Sequence, residues 1–171
     1  MIMLKNMLNK KGFTLIELLI VITILGVLLM IVIAKVPQVL TRAKEAKTRD
    51  YLANMRVAIN NYYSTTSGFF PMNFDNLSDV IGGQEVPAFT PNFMQEIPKA
   101  SIRANLEDGA ASNSNNVRVI DTGKNLMIPD SITKEGGWIY SSTTGEIRVN
   151  CSVKDSKEKI YYSTYGHEAN E

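Results

Sequence analysis

The chain has 171 residues, 18 lysines and arginines against 17 aspartates and glutamates, and a formal charge of +1. That length fits one ordinary domain, or a small domain with an appendage, and the balanced charge gives no concentrated basic surface for nucleic acid. A single cysteine, Cys151, excludes an intrachain disulfide, and a single histidine, His167, excludes a histidine cluster for zinc.

Apolar residues are distributed very unevenly. Residues 1–12 form a short leader with Lys5, Lys10 and Lys11 and no acidic residue. From Phe13 to Ala34 the chain reads FTLIELLIVITILGVLLMIVIA. A helix of that length spans a hydrocarbon core of roughly 30 Å. A cleaved secretory signal would end in a small-residue site, but this run exits through IVIAKVPQV. A lipoprotein signal would place a cysteine at the cut, and the chain has none nearby. A plain signal anchor stays open. Lysines and arginines flank the run on both sides, so charge counting does not orient it.

Glu17 is the one charge inside the run. A carboxylate in a membrane helix is costly and calls for a partner. A cut between Gly12 and Phe13 would create one: the new amino group of Phe13 would lie about one helical turn before Glu17. It could neutralise Glu17 of its own chain or that of a neighbour one step along a polymer.

The run Lys10-Lys11-Gly12-Phe13-Thr14-Leu15-Ile16-Glu17 resembles the prepilin-type processing motif of type IV pilins and of the pseudopilins of type II secretion systems. The resemblance covers roughly the first 35 residues closely. It implies cleavage by a membrane-embedded prepilin peptidase after Gly12, with N-methylation of Phe13 from S-adenosylmethionine. Glu17 would then pair with a neighbour's N-terminus during assembly. Implied partners are copies of the same chain and related pilins, the peptidase, and a membrane assembly platform with its ATPase. No cofactor, no catalytic residue and no nucleic acid is expected. The implied location is the bacterial inner (cytoplasmic) membrane as a single-pass protein, then an extracellular pilus (fimbrium) or a periplasmic pseudopilus. Family members commonly carry a kinking proline where this chain has Ala34, whereas its own proline is Pro37.

Beyond Pro37 the pattern turns amphipathic. Val36, Leu40, Ala43, Leu52, Met55, Ile59 and Tyr62 recur at helical spacing, with Arg42, Lys44, Glu45, Lys47, Arg49, Asp50 and Arg56 on a mixed-sign solvated face. A helix from Phe13 to about Ser67 would be roughly 80 Å long. No small domain can bury all of it, so its first half belongs in lipid or against copies of itself. Gly68 and Pro71 end this helix, so residues 35–67 continue it and 68–171 form the head.

Within the head, Phe74–Ile81 reads as a short helix stopped by Gly82-Gly83, and Gly109–Asn116 as a surface loop. Val117–Ile120 reads as a strand. Trp138–Tyr140 and Glu146–Val149, joined by SSTTG, read as a hairpin, and Lys159–Tyr165 as a further strand. The expected fold is α+β and pilin-like, with a long N-terminal helix packed on a small antiparallel sheet of three to five strands. GGWIYSSTTGEIRVN resembles the sheet of pilin and pseudopilin heads. Many pilins close their C-terminal region with a disulfide, which this chain has to do by other means. Resemblance to major pseudopilins also brings in calcium, for which Asp155 and Glu158 are the candidate ligands, although EF-hand spacing is lacking and a solvated turn is the simpler reading. Cys151 reads as a buried small hydrophobe, Trp138 as a core anchor and His167 as a solvated side chain.

Overall fold

A computed structural model describes residues 12–102, 113–121, 133, 135–152 and 154–158. The leader before Gly12, the expected strand at Lys159–Tyr165 and His167 lie outside the described residues. Helix α1 runs from Leu15 to Thr65 with Pro37 inside it. The chain divides into two compact units, residues 1–39 and 40–171.

The described part of the first unit is helical from Leu15 onward. Its apolar side chains from Phe13 to Ile33 are all between 48 and 86% exposed. A helix that is apolar all round gains no stability from facing water and must be covered by lipid or protein. By length and composition α1 can cross a membrane. Pro37 has no N–H to donate, so the Ile33 carbonyl loses its ordinary helical partner.

The second unit is built on the later turns of α1, which bury Glu45, Thr48, Leu52, Met55, Ala58, Ile59 and Tyr62. Steps of three and four put these on one face. The helix stops in a Schellman arrangement: Ser67 takes φ 59° and the Gly68 N–H donates to the Tyr63 carbonyl at 2.9 Å.

Among the described residues seven short strands follow: β1 Asp79–Ile81, β2 Gln84–Val86, β3 Ala100–Ser101, β4 Asn113–Ser114, β5 Val117–Ile120, β6 Trp138–Ser141 and β7 Ile147–Val149. β1–β2 and β3–β4 are two-stranded antiparallel pairs, and β5-β6-β7 is a three-stranded sheet. The α+β class with a long N-terminal helix is therefore what the chain adopts. Both strands of the expected Trp138–Val149 hairpin form, with Trp138 opposite Val149 and Tyr140 opposite Ile147. β6 is buried along its whole length.

Three expectations for the second unit change. Phe74–Ile81 is not a helix: its end pairs as β1 with β2, Ile81 opposite Gln84. Gly82 and Gly83 take φ 62° and 81°, the left-handed pair of a two-residue hairpin turn, whose twist matches the flanking strands. Leu77 and Val80 are exposed. Secondly, the three-stranded sheet is mixed, because β5 lies parallel to β6 with Val117 opposite Trp138. A parallel pair needs a crossover of a dozen or more residues, and the chain between Ile120 and Trp138 is long enough. Thirdly, Asn113 and Ser114, expected in a loop, pair with Ser101 and Ala100 as β4.

The core joins α1 to the sheet. Trp138, Tyr140, Ile147, Val149 and Cys151 pack with Leu52, Met55, Ile59 and Tyr62, so Trp138 is the core anchor and Cys151 the buried hydrophobe expected. The Trp138 indole donates to the Pro98 carbonyl at 2.8 Å. Phe74 packs edge-on against both Phe89 and Tyr140, at 4.7 Å between centroids in each case. Thr48 fastens β3 to the helix, since its hydroxyl accepts from the Ser101 N–H at 3.0 Å and lies 2.8 Å from the Ser101 carbonyl.

Candidate functional site

At the start of the described chain, Gly12, Phe13 and Thr14 are non-helical and α1 begins at Leu15. The sequence Thr14-Leu15-Ile16-Glu17 forms a capping box. Thr14 donates to the Glu17 carboxylate through its N–H at 2.8 Å and its hydroxyl at 2.7 Å. The Glu17 N–H is 3.3 Å from the Thr14 hydroxyl oxygen. This reciprocal pairing satisfies donors that the first helical turn otherwise leaves open. It also halts the helix at Thr14, which leaves the Gly12–Phe13 peptide outside it. The T-x-x-E spacing was visible in the sequence as a capping signal, which a reading centred on the glutamate's charge passes over.

Phe13 is 86% exposed, and nothing lies within 4 Å of where a Gly12 side chain would begin. Among the described residues, packing therefore does not require glycine at position 12. Glu17 is exposed as well, in the first turn of α1. One of its carboxylate oxygens holds Thr14.

A second polar cluster lies in the C-terminal loop of the other unit. Asp155 is fully buried, with one carboxylate oxygen 3.6 Å from the Arg49 guanidinium and the other accepting the Lys157 N–H at 2.8 Å. Glu45, expected on the solvated face of α1, is instead buried and accepts from both the N–H and the hydroxyl of Ser156. Hydropathy spacing cannot foresee this, because the partner comes from more than a hundred residues away in the chain. Conversely Val36, Leu40 and Ala43, expected on the buried face, are exposed. The two calcium candidates each face a cation of their own: Arg49 beside Asp155, and Lys154 3.7 Å from Glu158. Among the described residues no three His, Cys, Asp or Glu side chains gather as a metal site. The helix thus ties down the C-terminal loop through two carboxylates, where a disulfide is impossible.

Tyr140 in β6 carries a large electrostatic perturbation. Burial pushes its hydroxyl far above the ordinary tyrosine range, with Tyr62 adding to the shift. Its oxygen is buried and has no hydrogen-bond partner among the described residues. Tyr62 is also raised, first by burial and then by the Asp79 charge.

Residues 7–33 match the family model for the prokaryotic N-terminal methylation motif, the signature of type IV pilins and pseudopilins. The match encloses Gly12, Phe13, Thr14 and Glu17. Comparison with curated proteins and with solved structures returned no match.

Proposed function

We propose that the chain is a structural subunit, not an enzyme, of a type IV pilus-like filament. Prepilin peptidase cuts between Gly12 and Phe13, Phe13 is N-methylated, and the mature chain polymerises through its apolar helix. The observation that carries this reading is the N-terminal arrangement inside the matched motif. A non-helical Gly12–Phe13 peptide precedes a capped helix whose large apolar side chains from Leu15 to Ile33 are exposed.

The mechanism follows from that arrangement. In the bilayer, lipid covers the apolar side chains of residues 13–34; in a filament, the same side chains of neighbouring copies cover them. Lateral packing alone leaves the axial register loose. Pairing of Glu17 with the Phe13 amine of a neighbour sets it, because a mispaired charge in an apolar surrounding is strongly disfavoured. An external ATPase motor supplies the work of moving the subunit out of the membrane.

The test is intact mass and N-terminal analysis of sheared surface filaments and of membranes, on the wild type and on Glu17→Gln. Gln keeps an acceptor for Thr14 but removes the charge. Wild-type chain beginning at methylated Phe13 in the sheared fraction is the expected result. Glu17→Gln is expected to be inserted and processed yet absent from that fraction. Mature chain confined to membranes would assign the subunit to a periplasmic pseudopilus acting in protein export. Uncut chain in both fractions would leave a single-pass anchored domain, and Glu17→Gln in normal filaments would refute the register mechanism.

A further inference from the structure

A cleft of about 530 Å³ lies in the second unit, between α1 and the chain that runs from Met94 to Ser101. Its volume falls within the roughly 300–1,000 Å³ usual for small-ligand sites. Lys47, Tyr51 and Asn54 line it from α1, at steps of four and three that put them on one side of the helix. The opposite wall is fixed from the core. The Trp138 indole holds the Pro98 carbonyl at 2.8 Å, the Ser101 N–H donates to Thr48 at 3.0 Å, and the Phe93 ring lies edge-on to Tyr62 at 5.0 Å. The Ser101 hydroxyl donates to the Asn113 side-chain oxygen at 3.1 Å, which orients that amide. A site held this way loses little freedom when a ligand enters. A second cavity of about 500 Å³ shares Gln95, Glu96, Ile97 and Asn115 with the first and extends to β5.

The chemistry of the lining selects a class of ligand. Lys47 and Lys99 are offset by Glu96 in the lining and by the exposed Asp50 three residues along α1 from Lys47, so neither sign of charge prevails. The commonest polar group is the carboxamide, from Asn54, Gln95, Asn113 and Asn115. Among the described residues, no hydrogen bond or ion pair engages the side chains of Asn54, Gln95 or Asn115. A carboxamide both donates and accepts, as a sugar hydroxyl does, whereas a phosphate offers only acceptors and a metal cation needs only acceptors. Tyr51 supplies a half-buried ring, and Met94, Ile97 and Pro98 supply apolar surface, against which the C–H face of a sugar ring can pack. We propose that this cleft binds a neutral oligosaccharide, with Asn54, Gln95 and Asn115 hydrogen-bonding its hydroxyls and the second cavity taking a further sugar unit. The site goes beyond the filament reading, because it requires neither cleavage nor polymerisation.

The test presents the full-length chain, in phosphatidylcholine nanodiscs that carry no sugar, to an array of defined mono- to pentasaccharides, neutral and acidic. Binding to a neutral member is expected, with affinity rising about threefold or more from a monosaccharide to a disaccharide. Asn54→Ala and Gln95→Ala, on opposite walls, are each expected to weaken it about three- to tenfold, the loss of one net hydrogen bond. Asn115→Trp adds bulk where the two cavities meet and is expected to abolish binding, whereas Leu77→Ser, outside both linings, leaves it unchanged. All four side chains are exposed, and a Tm within about 1 °C of the wild type shows that each variant is folded. No binding to any neutral member, or binding that survives Asn115→Trp, overturns the proposal. Binding of acidic members alone, lost in Lys47→Gln/Lys99→Gln, gives the cleft to an anionic ligand and overturns the neutral class. Binding of a neutral member by a chain that forms no filament supports the proposal while removing the polymer reading.

Discussion

Replacing Tyr140 by Phe removes a single buried oxygen and should make the head more stable. The residue is fully buried and its hydroxyl has no partner among the described residues, on a ring held edge-on by Phe74 at an interplanar angle of 87°. Leaving a buried hydroxyl unsatisfied costs about 1–3 kcal/mol, and Phe keeps the ring and its contacts. Part of the gain is offset by the small void left behind, so a net stabilisation of about 1 kcal/mol is expected, or roughly 2–8 °C in Tm. The effect on pH dependence has a definite sign. Tyr140 is raised in the folded state, so above the ordinary tyrosine pKa of about 10 the unfolded chain releases a proton that the folded chain retains. Stability is therefore complete below about pH 10 and declines above it, by up to about 1.4 kcal/mol per pH unit for this tyrosine. Thermal unfolding of full-length protein in detergent, followed by the near-ultraviolet circular dichroism of Trp138, should show a higher midpoint for Tyr140→Phe at pH 7. It should also show a shallower loss between pH 10 and 11, with the remaining slope including Tyr62. A variant that melts lower at pH 7 with an unchanged alkaline slope would show that the hydroxyl is satisfied, and would refute the reasoning.

Two further outcomes test other parts of the structure. Gly137 takes φ 75°, and a side chain there would drive into the Asn116 carbonyl, which accepts the Trp138 N–H at 2.8 Å. Gly137→Ala should cost upwards of about 2 kcal/mol by splitting β5 from β6, read as a lowered denaturant midpoint at constant slope. A chelator should leave Tm unchanged within about 1 °C, because Arg49 already stands where a calcium ion would neutralise Asp155. A drop of several degrees, restored by added calcium, would refute the proposed role of Arg49.

Local chemistry made several features readable without coordinates. The apolar run from Phe13 to Ala34 has one physical solution, a helix, because its backbone groups must be satisfied within the segment. The strands at Val117–Ile120, Trp138–Ser141 and Ile147–Val149 were legible from β-branched and aromatic residues beside a glycine turn. Gly12, Phe13 and Glu17 were legible as a site because their meaning lies in spacing along a single chain segment.

Other features depended on partners distant in sequence. The pattern around Glu45 is that of a solvated helix face, and only Ser156, arriving from the C-terminal loop, makes its burial tolerable. The same docking places Asp155 beside Arg49. Gly82-Gly83 stops a helix or turns a hairpin equally well, and pairing of Asp79–Ile81 with Gln84–Val86 decided for the hairpin. The parallel sense of β5 against β6 is likewise invisible to residue alternation, which is the same for both senses. What the sequence determined by itself is therefore the N-terminal segment, where each residue acts through neighbours one helical turn away. Tertiary structure decided the burial of Glu45 and the docking of the C-terminal loop, because the partners that make a buried charge tolerable arrive from distant parts of the chain.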